Sequence, residues 1–321
     1  MNQSKNFSKL NAFFSKAGTN LSLIIALAVM CLLFSILSPH FLSLKNLLNI
    51  ATYTSINAIM AFGITVAMIL AAMDLSQYAV AAVAGMVAAL LNQNGFPIGI
   101  AILSAILIGI LFGFLNGLIV SKFGVNAIIA TLGTQQIFRG AAYLVTDGQN
   151  ISLNNEFLTT IGRGDIFSIP IVVILMLAMY FITGYLLKYT GFGRKVYAIG
   201  GNKNASYLSG INIERVQIGG FIYCSAAGAI GGILLASQVG VAMPTVGIGS
   251  EMDVIAAVVL GGVSLSGGSG KVSGTLLGAL ILQTISNGMT LLSVQSYWQM
   301  VIKGIVLILA VLIDVMRSRK K

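Results

Sequence analysis

Charged side chains are scarce in this sequence. Asp, Glu, Lys and Arg together make up 8% of the 321 residues, whereas hydrophobic residues make up 57%. Soluble domains carry about 25% charged residues, so a chain of this composition cannot cover a surface exposed to water. The shortage excludes an ordinary soluble protein and indicates an integral membrane protein.

Histidine and cysteine are scarce as well. His40 is the only histidine, and Cys31 and Cys224 both lie inside apolar runs, where a free thiol behaves as a small hydrophobe. A conventional zinc site therefore lacks ligands, and no disulfide framework follows. We expect no metal, no cofactor and no catalytic residues.

Acidic residues are fewer than basic ones, with eight Asp and Glu against eighteen Lys and Arg. The basic residues form no Arg-rich stripe with interleaved aromatics, so nucleic acid is not expected as a partner. With the N-terminus in the cytoplasm, fourteen of the eighteen fall on the cytoplasmic side, as the positive-inside rule requires. An even number of spans then places both termini in the cytoplasm.

Long apolar runs are what the sequence has in abundance, and a membrane-spanning helix needs roughly 20 mostly apolar residues. We predict an all-α integral membrane protein with about ten transmembrane helices, some of them short or broken. The predicted segments are 21–38, 47–73, 77–91, 97–120, 125–145, 166–187, 216–238, 252–264, 272–292 and 298–315. Residues 1–20 form a cytoplasmic N-terminal segment, 21–315 a single membrane domain, and 316–321 a basic cytoplasmic tail.

Three of these segments are unusual. Segments 77–91 and 252–264 are short, and 125–145 is rich in Gly, Thr and Gln. Irregular backbone at membrane depth is tolerated only where protein or a water-filled cavity surrounds it. We therefore expect these three to be tilted, broken or shielded from lipid.

Glycines recur at four-residue spacing in several apolar runs, as in Gly109, Gly113 and Gly117. Small residues at this spacing let helix backbones approach closely, and we expect packing within one bundle rather than a dimer contact. Asn116-Gly117 and Asn287-Gly288 also end similar stretches that run in opposite directions. This weak echo suggests the inverted repeats common in transporters.

A polar segment at 188–216 is too polar to span the membrane. Asn202 can cap a short helix from Lys203 to Ser209, which Gly210 can end in a left-handed conformation. Two interpretations stay open on the pattern alone, because such a helix suits the groove of a partner but a solvated loop would carry the same residues.

The glycine-rich stretch from Gly261 to Val272 superficially resembles a phosphate-binding loop. That loop requires Gly-x-x-x-x-Gly-Lys followed by Ser or Thr, whereas here Leu265 and Val272 occupy the first and last positions. The stretch also joins two predicted membrane helices rather than a strand to a helix. Nucleotide binding by this chain is therefore not expected.

Several stretches together are similar to the permease subunits of ribose-type ABC sugar importers, in the bacterial branched-chain amino acid/sugar permease superfamily. The likeness extends over nearly the whole chain. It is carried by Ser55 to Ala61, Ala130 to Thr134 with Arg139-Gly140, Gly193 to Asn212, and above all Glu251 to Leu265 followed by Gly267 to Gly270.

The resemblance implies a multi-pass protein of the bacterial cytoplasmic membrane that acts with partners and in contact with membrane lipid. A second permease copy, as a homodimer, completes the pathway, a cytoplasmic ABC ATPase supplies the energy, and a periplasmic sugar-binding protein delivers a monosaccharide. It also implies that one short segment is the coupling helix that meets the ATPase. That segment comprises Asn202, Lys203, Asn204, Ala205, Ser206, Tyr207, Leu208, Ser209 and Gly210.

Two positions depart from the family pattern. Where the family usually has Gly-Ile-Asp-Leu-Ser-Val-Gly-Ser, this chain has Ala72 to Ala79, which keeps Asp74, Leu75 and Ser76 but loses both glycines. We expect backbone geometry and substrate preference to differ there. Lys203 replaces the acidic residue that usually follows Asn202, which alters the charge offered to an ATPase groove.

Charges near the membrane need a reason to be kept, because they are costly there. For Asp74 we expect a structural role, as a helix N-cap, ahead of a role in a gate. Glu251 and Asp253 are expected to offset a helix dipole, while Arg139 and Lys303 are expected to snorkel to the membrane surface.

Uncharged polar residues within the predicted helices are the better candidates for a sugar pathway, although each could equally bond a neighbouring helix. With Asp74 as a possible gate, the candidates are Asn57, Asp74, Asn116, Thr131, Thr134, Gln135 and Asn287. The predicted function is inward transport of a monosaccharide such as ribose by the permease subunit of an ABC importer. The alternatives are an ion-coupled secondary transporter, which lacks a convincing central carboxylate, and an intramembrane enzyme, which lacks paired carboxylates or an activated nucleophile.

Overall fold

Residues 18–318 are described by the computed structural model, and within them thirteen helices follow one another. The predictions made for residues 1–17 and 319–321 lie outside the described residues. The helices are α1 (Gly18–Leu37), α2 (Leu44–Ile69), α3 (Gln77–Gln93), α4 (Ile98–Ser121), α5 (Ala127–Leu144), α6 (Glu156–Arg163), α7 (Ile171–Tyr189), α8 (Gly191–Gly201), α9 (Lys203–Leu208), α10 (Ile213–Val239), α11 (Glu251–Leu260), α12 (Val272–Leu291) and α13 (Ser296–Ser318).

Four short strands complete the fold. They are β1 (Ile151–Ser152), β2 (Asp165–Ile166), β3 (Ile169–Pro170) and β4 (Val241–Ala242). β1 pairs antiparallel with β4, Ile151 opposite Ala242, and β2 pairs antiparallel with β3. These strands and α6 lie at one end of the bundle, called the α6 end. The 19-residue α7 leads from there to α8 and α9 at the opposite end, called the α9 end.

Each of the ten predicted segments contains a helix, but three boundaries were wrong. α2 stops at Ile69, before Ala71 with its positive φ of 56°, and α11 stops at Leu260, before Gly262 at φ 83°. Residues 166–170 form a hairpin instead of helix, because Phe167 and Ser168 adopt positive φ. Five helices (α1, α2, α4, α7 and α10) are long and apolar enough to cross a membrane.

Helix α10 packs against α2, α3 and α4, and glycines set these contacts. A Cβ on Gly113 would lie 2.5 Å from the Phe221 carbonyl oxygen, and one on Gly63 would lie 2.8 Å from the Ala227 side chain. The prediction of close packing within one bundle is confirmed for Gly109, Gly113 and Gly117, which all face α10.

The two halves of the described chain pack in the same way. In the first half, α4 packs on α10, α3 and α5, and α3 packs on α10 and α5. In the second half, α12 packs on α2, α11 and α13, and α11 packs on α2 and α13. Exchanging α2–α5 with α10–α13 therefore preserves these packing pairs. α4 runs antiparallel to α10, and α12 antiparallel to α2 and α11. Because α2 and α10 are themselves antiparallel, the packing supports the inverted repeat suggested by the Asn-Gly echo.

The unusual segments differ in how far they are shielded. α3 is buried from Gln77 to Gly85, and α11 is buried from Val254 to Val259. α5, by contrast, exposes Ile129 and Ile137, each about two-thirds accessible. Shielding is thus confirmed for the two short helices, whereas part of α5 is exposed. Exposed apolar side chains also cover faces of α1, α4, α7 and α13, as expected of surfaces that contact lipid.

Candidate functional site

Helix α9 forms as its capping residues predict. The Asn202 side-chain oxygen accepts a hydrogen bond from the Ala205 amide at 2.9 Å, and Gly210 adopts the left-handed φ of 78°. Tyr207 and Leu208 are 71% and 85% exposed. Since a Leu so exposed on a polar segment leaves apolar area uncovered, α9 presents an apolar surface at the α9 end.

Helix α8 fixes this surface to the bundle. The Tyr197 hydroxyl donates to the Gly270 carbonyl at 2.8 Å, and the Gly268 amide donates to the Ile69 carbonyl at 2.8 Å. Gly200 packs directly on both partners of the second bond, with no room for a Cβ. The glycine-rich stretch that follows α11 therefore lies between α8 and the last turn of α2.

Asp74 lies in the non-helical segment between α2 and α3 and is fully buried. Its Oδ1 accepts from the Ser76 amide at 2.9 Å and from the Ser76 hydroxyl at 2.7 Å. The Asn116 amide donates to the Ser76 hydroxyl at 2.8 Å, which connects α4 to this segment. The N-cap prediction for Asp74 was wrong, since Ser76 precedes α3 directly and Asp74 holds the turn before it.

Gln77 anchors the first turn of α3. Its side-chain amide donates to the carbonyls of Met60 at 2.8 Å and Cys224 at 3.2 Å, which joins α2, α3 and α10. Thr131 bonds mainly to its own helix at Ala127 and reaches the Met73 carbonyl at 3.4 Å. Gln77 was not among the predicted residues, because its partners are backbone carbonyls brought close only by packing.

Arg139 is buried and does not snorkel, so that prediction was wrong. Its guanidinium donates to the carbonyls of Pro244 and Val246 at 2.7 and 2.8 Å, and it lies 3.6 Å from the Glu251 carboxylate. Gln135 donates to the same carboxylate at 3.1 Å. A charge buried with three partners stays in the protein, because moving to the membrane surface would leave them unpaired.

Lys303 does not snorkel either. Its ammonium group contacts Asp253 Oδ2 at 2.6 Å, which joins α13 to the start of α11. Both carboxylates expected to offset the dipole of α11 do lie in its first turn. Glu251 also pairs with Arg139 of α5, and Asp253 with Lys303 of α13. The first turn of α11 therefore connects to two neighbouring helices.

Asn57, one of the predicted pathway residues, lines the smaller of two cavities in the described part of the chain. It accepts a hydrogen bond from the Tyr78 hydroxyl at 3.0 Å. The smaller cavity, of about 190 Å³, is bordered by both residues together with α10, α11 and the segment after β4. A larger cavity of about 390 Å³ lies at the α6 end. It is bordered by the N-terminal part of α2, the last turn of α6 and the β2–β3 hairpin.

The remaining candidates have structural contacts. Asn287 and Asn46 exchange two amide hydrogen bonds at 2.8 and 2.9 Å, which holds α12 against α2. Thr134 bonds the Thr131 carbonyl within α5. The structure thus joins Asp74 with Asn116, and it does not gather the seven candidates into one site. Tyr78 was missed because its role depends on where α2 lies.

The comparisons identify relatives along the full chain. The family described as branched-chain amino acid transport system / permease component matches residues 46–311. The ribose import permease protein of Haemophilus influenzae is 39% identical, covering 100% of this chain and 99% of the relative. That of Bacillus subtilis is 41% identical, with 92% of each covered. The L-arabinose transport system permease protein of Escherichia coli is 36% identical, covering 96% and 94%. No solved structure gave a match.

Proposed function

The chain belongs to the branched-chain amino acid transport system / permease component family, and on that premise we propose that it carries a small sugar across the membrane as the permease subunit of an ABC importer. Relatives named for ribose import cover nearly its full length at about 40% identity, and a relative named for L-arabinose transport covers almost as much. It is a translocation subunit of the bacterial inner membrane. ATP hydrolysis takes place on a separate subunit.

The observation that carries the proposal is the exposed apolar surface of α9. Tyr207 and Leu208 point away from the bundle on a helix whose two ends are fixed by Asn202 and Gly210. Fully burying a Leu side chain stabilises by about 1.5–3 kcal/mol, so a partner that covers these two residues gains affinity from each. The proposed partner is the cytoplasmic ATPase, and α9 is the coupling helix.

The proposed topology follows from α9. With α9 in the cytoplasm, α6 and the two strand pairs face the periplasm, where the sugar-binding protein docks. About ten spans then place both termini in the cytoplasm, and the basic residues of 188–216 lie on that side. A second copy of the chain completes the pathway as a homodimer, and the exposed apolar faces contact lipid.

The test is reconstitution of the chain in liposomes with its ATPase and its sugar-binding protein. Uptake of labelled D-ribose is expected to require ATP and both partners and to be unaffected when proton and sodium gradients are abolished. Uptake by the permease alone, or uptake driven by an ion gradient without ATP, would overturn the proposal.

A pair of substitutions tests the coupling helix. Leu208→Ala removes about 2 kcal/mol of interface burial, which raises the Kd for the ATPase about 30-fold, and Tyr207→Ala acts in the same direction. Phe167→Ala is the matched control, because Phe167 is 95% exposed at the α6 end. It should leave ATPase binding unchanged. Equal effects of Leu208→Ala and Phe167→Ala on ATPase binding would contradict the placement of α9.

A further inference from the structure

Two cavities follow one another along α2. The larger cavity is bordered by Leu48 and Thr52, and the smaller cavity by Tyr53 and Asn57, one helical turn farther from the α6 end. The lining residues Asn49, Thr52, Tyr53 and Ile56 share one face of α2, because residues three or four apart along a helix lie on the same side. Gln238, near the end of α10, lines both cavities. The cavities are therefore neighbours that meet at Gln238.

The smaller cavity offers hydrogen-bonding groups and aromatic rings together. Among its lining residues are two amides, three hydroxyls and one carboxylate, carried by Tyr53, Asn57, Tyr78, Gln238, Ser250 and Asp253. A ligand pocket binds through a mostly apolar wall with a few placed polar groups. Here six of the ten lining residues carry such a group beside apolar side chains, which suits a ligand that carries a hydroxyl on nearly every carbon.

Charge decides between classes of small solute. Among the described residues, Asp253 is the single charged one that lines the smaller cavity, and its Oδ2 is paired with Lys303 at 2.6 Å. The wall thus carries no cation of its own for a carboxylate, which a zwitterionic amino acid would need. A neutral solute needs no such cation, because its hydroxyls can both donate to and accept from the amides and hydroxyls of the wall.

Tyr78 shapes this cavity. Its ring packs on Gly247, whose φ of 74° and missing Cβ make room for it, and its hydroxyl donates to Asn57 Oδ1. That bond orients the Asn57 side chain and leaves the Asn57 amide hydrogens for a ligand. At about 190 Å³ the cavity is smaller than the 300–1,000 Å³ common for drug-sized ligands. It admits one small ring.

We propose that the smaller cavity is a monosaccharide-binding subsite within each permease copy, that the larger cavity is its entrance from the α6 end, and that Tyr78 limits the size of the sugar. The proposal rests on the proposed function and names a binding site for that same transport. Sugar released at the α6 end passes Gln238 and binds between Asn57, Tyr78 and Asp253.

Protection of a cysteine tests the site without any transport. Leu235→Cys replaces a lining residue that carries no hydrogen-bonding group. It is made in a Cys31→Ala background, since Cys224 is fully buried, and the chain is placed in liposomes. A charged, impermeant thiol reagent is added from the α6 side with and without 50 mM D-ribose. We expect ribose to slow modification at least fivefold and L-leucine at the same concentration to leave it unchanged. Phe157→Cys, exposed at the α6 end, is the control and should react equally with and without sugar.

Any of the following results would overturn the proposed subsite. A Leu235→Cys variant that does not react with the reagent shows that the cavity is closed to the α6 side. Slowing by leucine to the same extent, or absence of slowing by ribose, shows that no sugar site is present. If Leu235→Cys does not fold, Val246→Cys lines the same cavity and replaces it.

Transport separates this proposal from the proposed function. In the complete importer, Tyr78→Phe should reduce the ribose moved per ATP hydrolysed at least fivefold, while Tyr223→Phe should not. Tyr223 is the matched control because its hydroxyl also bonds another helix, at Thr183, away from both cavities. Equal effects of the two variants overturn the subsite. If wild-type importer moves no ribose at all, the proposed function fails, whatever the cysteine experiment shows.

Discussion

The buried ion pair between α5 and α11 makes a quantitative prediction. Glu251→Gln keeps the shape of the side chain and removes its charge, which leaves Arg139 buried without an anion. At 3.6 Å and an effective dielectric constant of about 20, two unit charges attract by about 4.6 kcal/mol. Removing one partner of a buried pair costs about 3–5 kcal/mol in soluble proteins. Arg139 keeps two carbonyl acceptors, so we expect a loss of about 2–3 kcal/mol.

The assay is unfolding by sodium dodecyl sulfate in mixed micelles, followed by circular dichroism. Asp253→Asn is the matched control, because that pair is 29% exposed on both sides and a more exposed pair contributes about 0–1 kcal/mol. Replacing both Arg139 and Glu251 by Met should cost less than Glu251→Gln alone, since no unpaired charge remains. A Glu251→Gln variant within 0.5 kcal/mol of wild type, or one no worse than Asp253→Asn, would refute the reasoning.

Three further predictions use the same assay. Gly113→Val should destabilise the bundle by at least about 3 kcal/mol through overpacking against α10. The control Gly133→Val, where a Cβ would meet nothing within 4 Å, should change stability by less than about 1 kcal/mol. Equal costs of the two variants would contradict the packing of α4 on α10. Asn287→Ala should cost about 0.6–2 kcal/mol, the range for polar contacts between membrane helices, and should add nothing once Asn46 is already Ala. Asp74→Asn should fold with wild-type stability, because it keeps the oxygen that accepts from Ser76. Asp74→Leu should lower the free energy of unfolding by about 1–3 kcal/mol, because it leaves the buried Ser76 donors without a partner. A large loss of stability in Asp74→Asn would show that the charge itself is needed.

The sequence predicts helices well where a run is long and apolar. It also predicts the capped helix α9, because Asn202 and Gly210 act through local backbone geometry alone. The ends of α2 and α11 were misplaced, since apolar residues continue past the last helical turn and the chain leaves the helix to pack against α8. Composition cannot reveal such a departure.

The partners of charged and polar side chains could not be predicted. Arg139 was assigned to the membrane surface because its anion lies more than a hundred residues away in the chain, and only packing brings Glu251 to it. Among the pathway candidates, Asn57, which lines a cavity, was selected from its residue type and its place in an apolar run. Tyr78 was missed, although it occupies a position where the family pattern has glycine, because a tyrosine near an apolar run is ordinarily a packing residue.

The meeting point of Gly200, Gly268 and the Ile69 carbonyl has a mechanical consequence. Side chains between two helices act as a soft layer, because rotamer changes absorb small displacements. Here the backbone of α8 at Gly200 contacts the backbone of Ile69 and Gly268 directly, with no side chain between them. We therefore expect a displacement of α9 to be transmitted through α8 to the last turn of α2, and the α2 residues that line the two cavities to move with it.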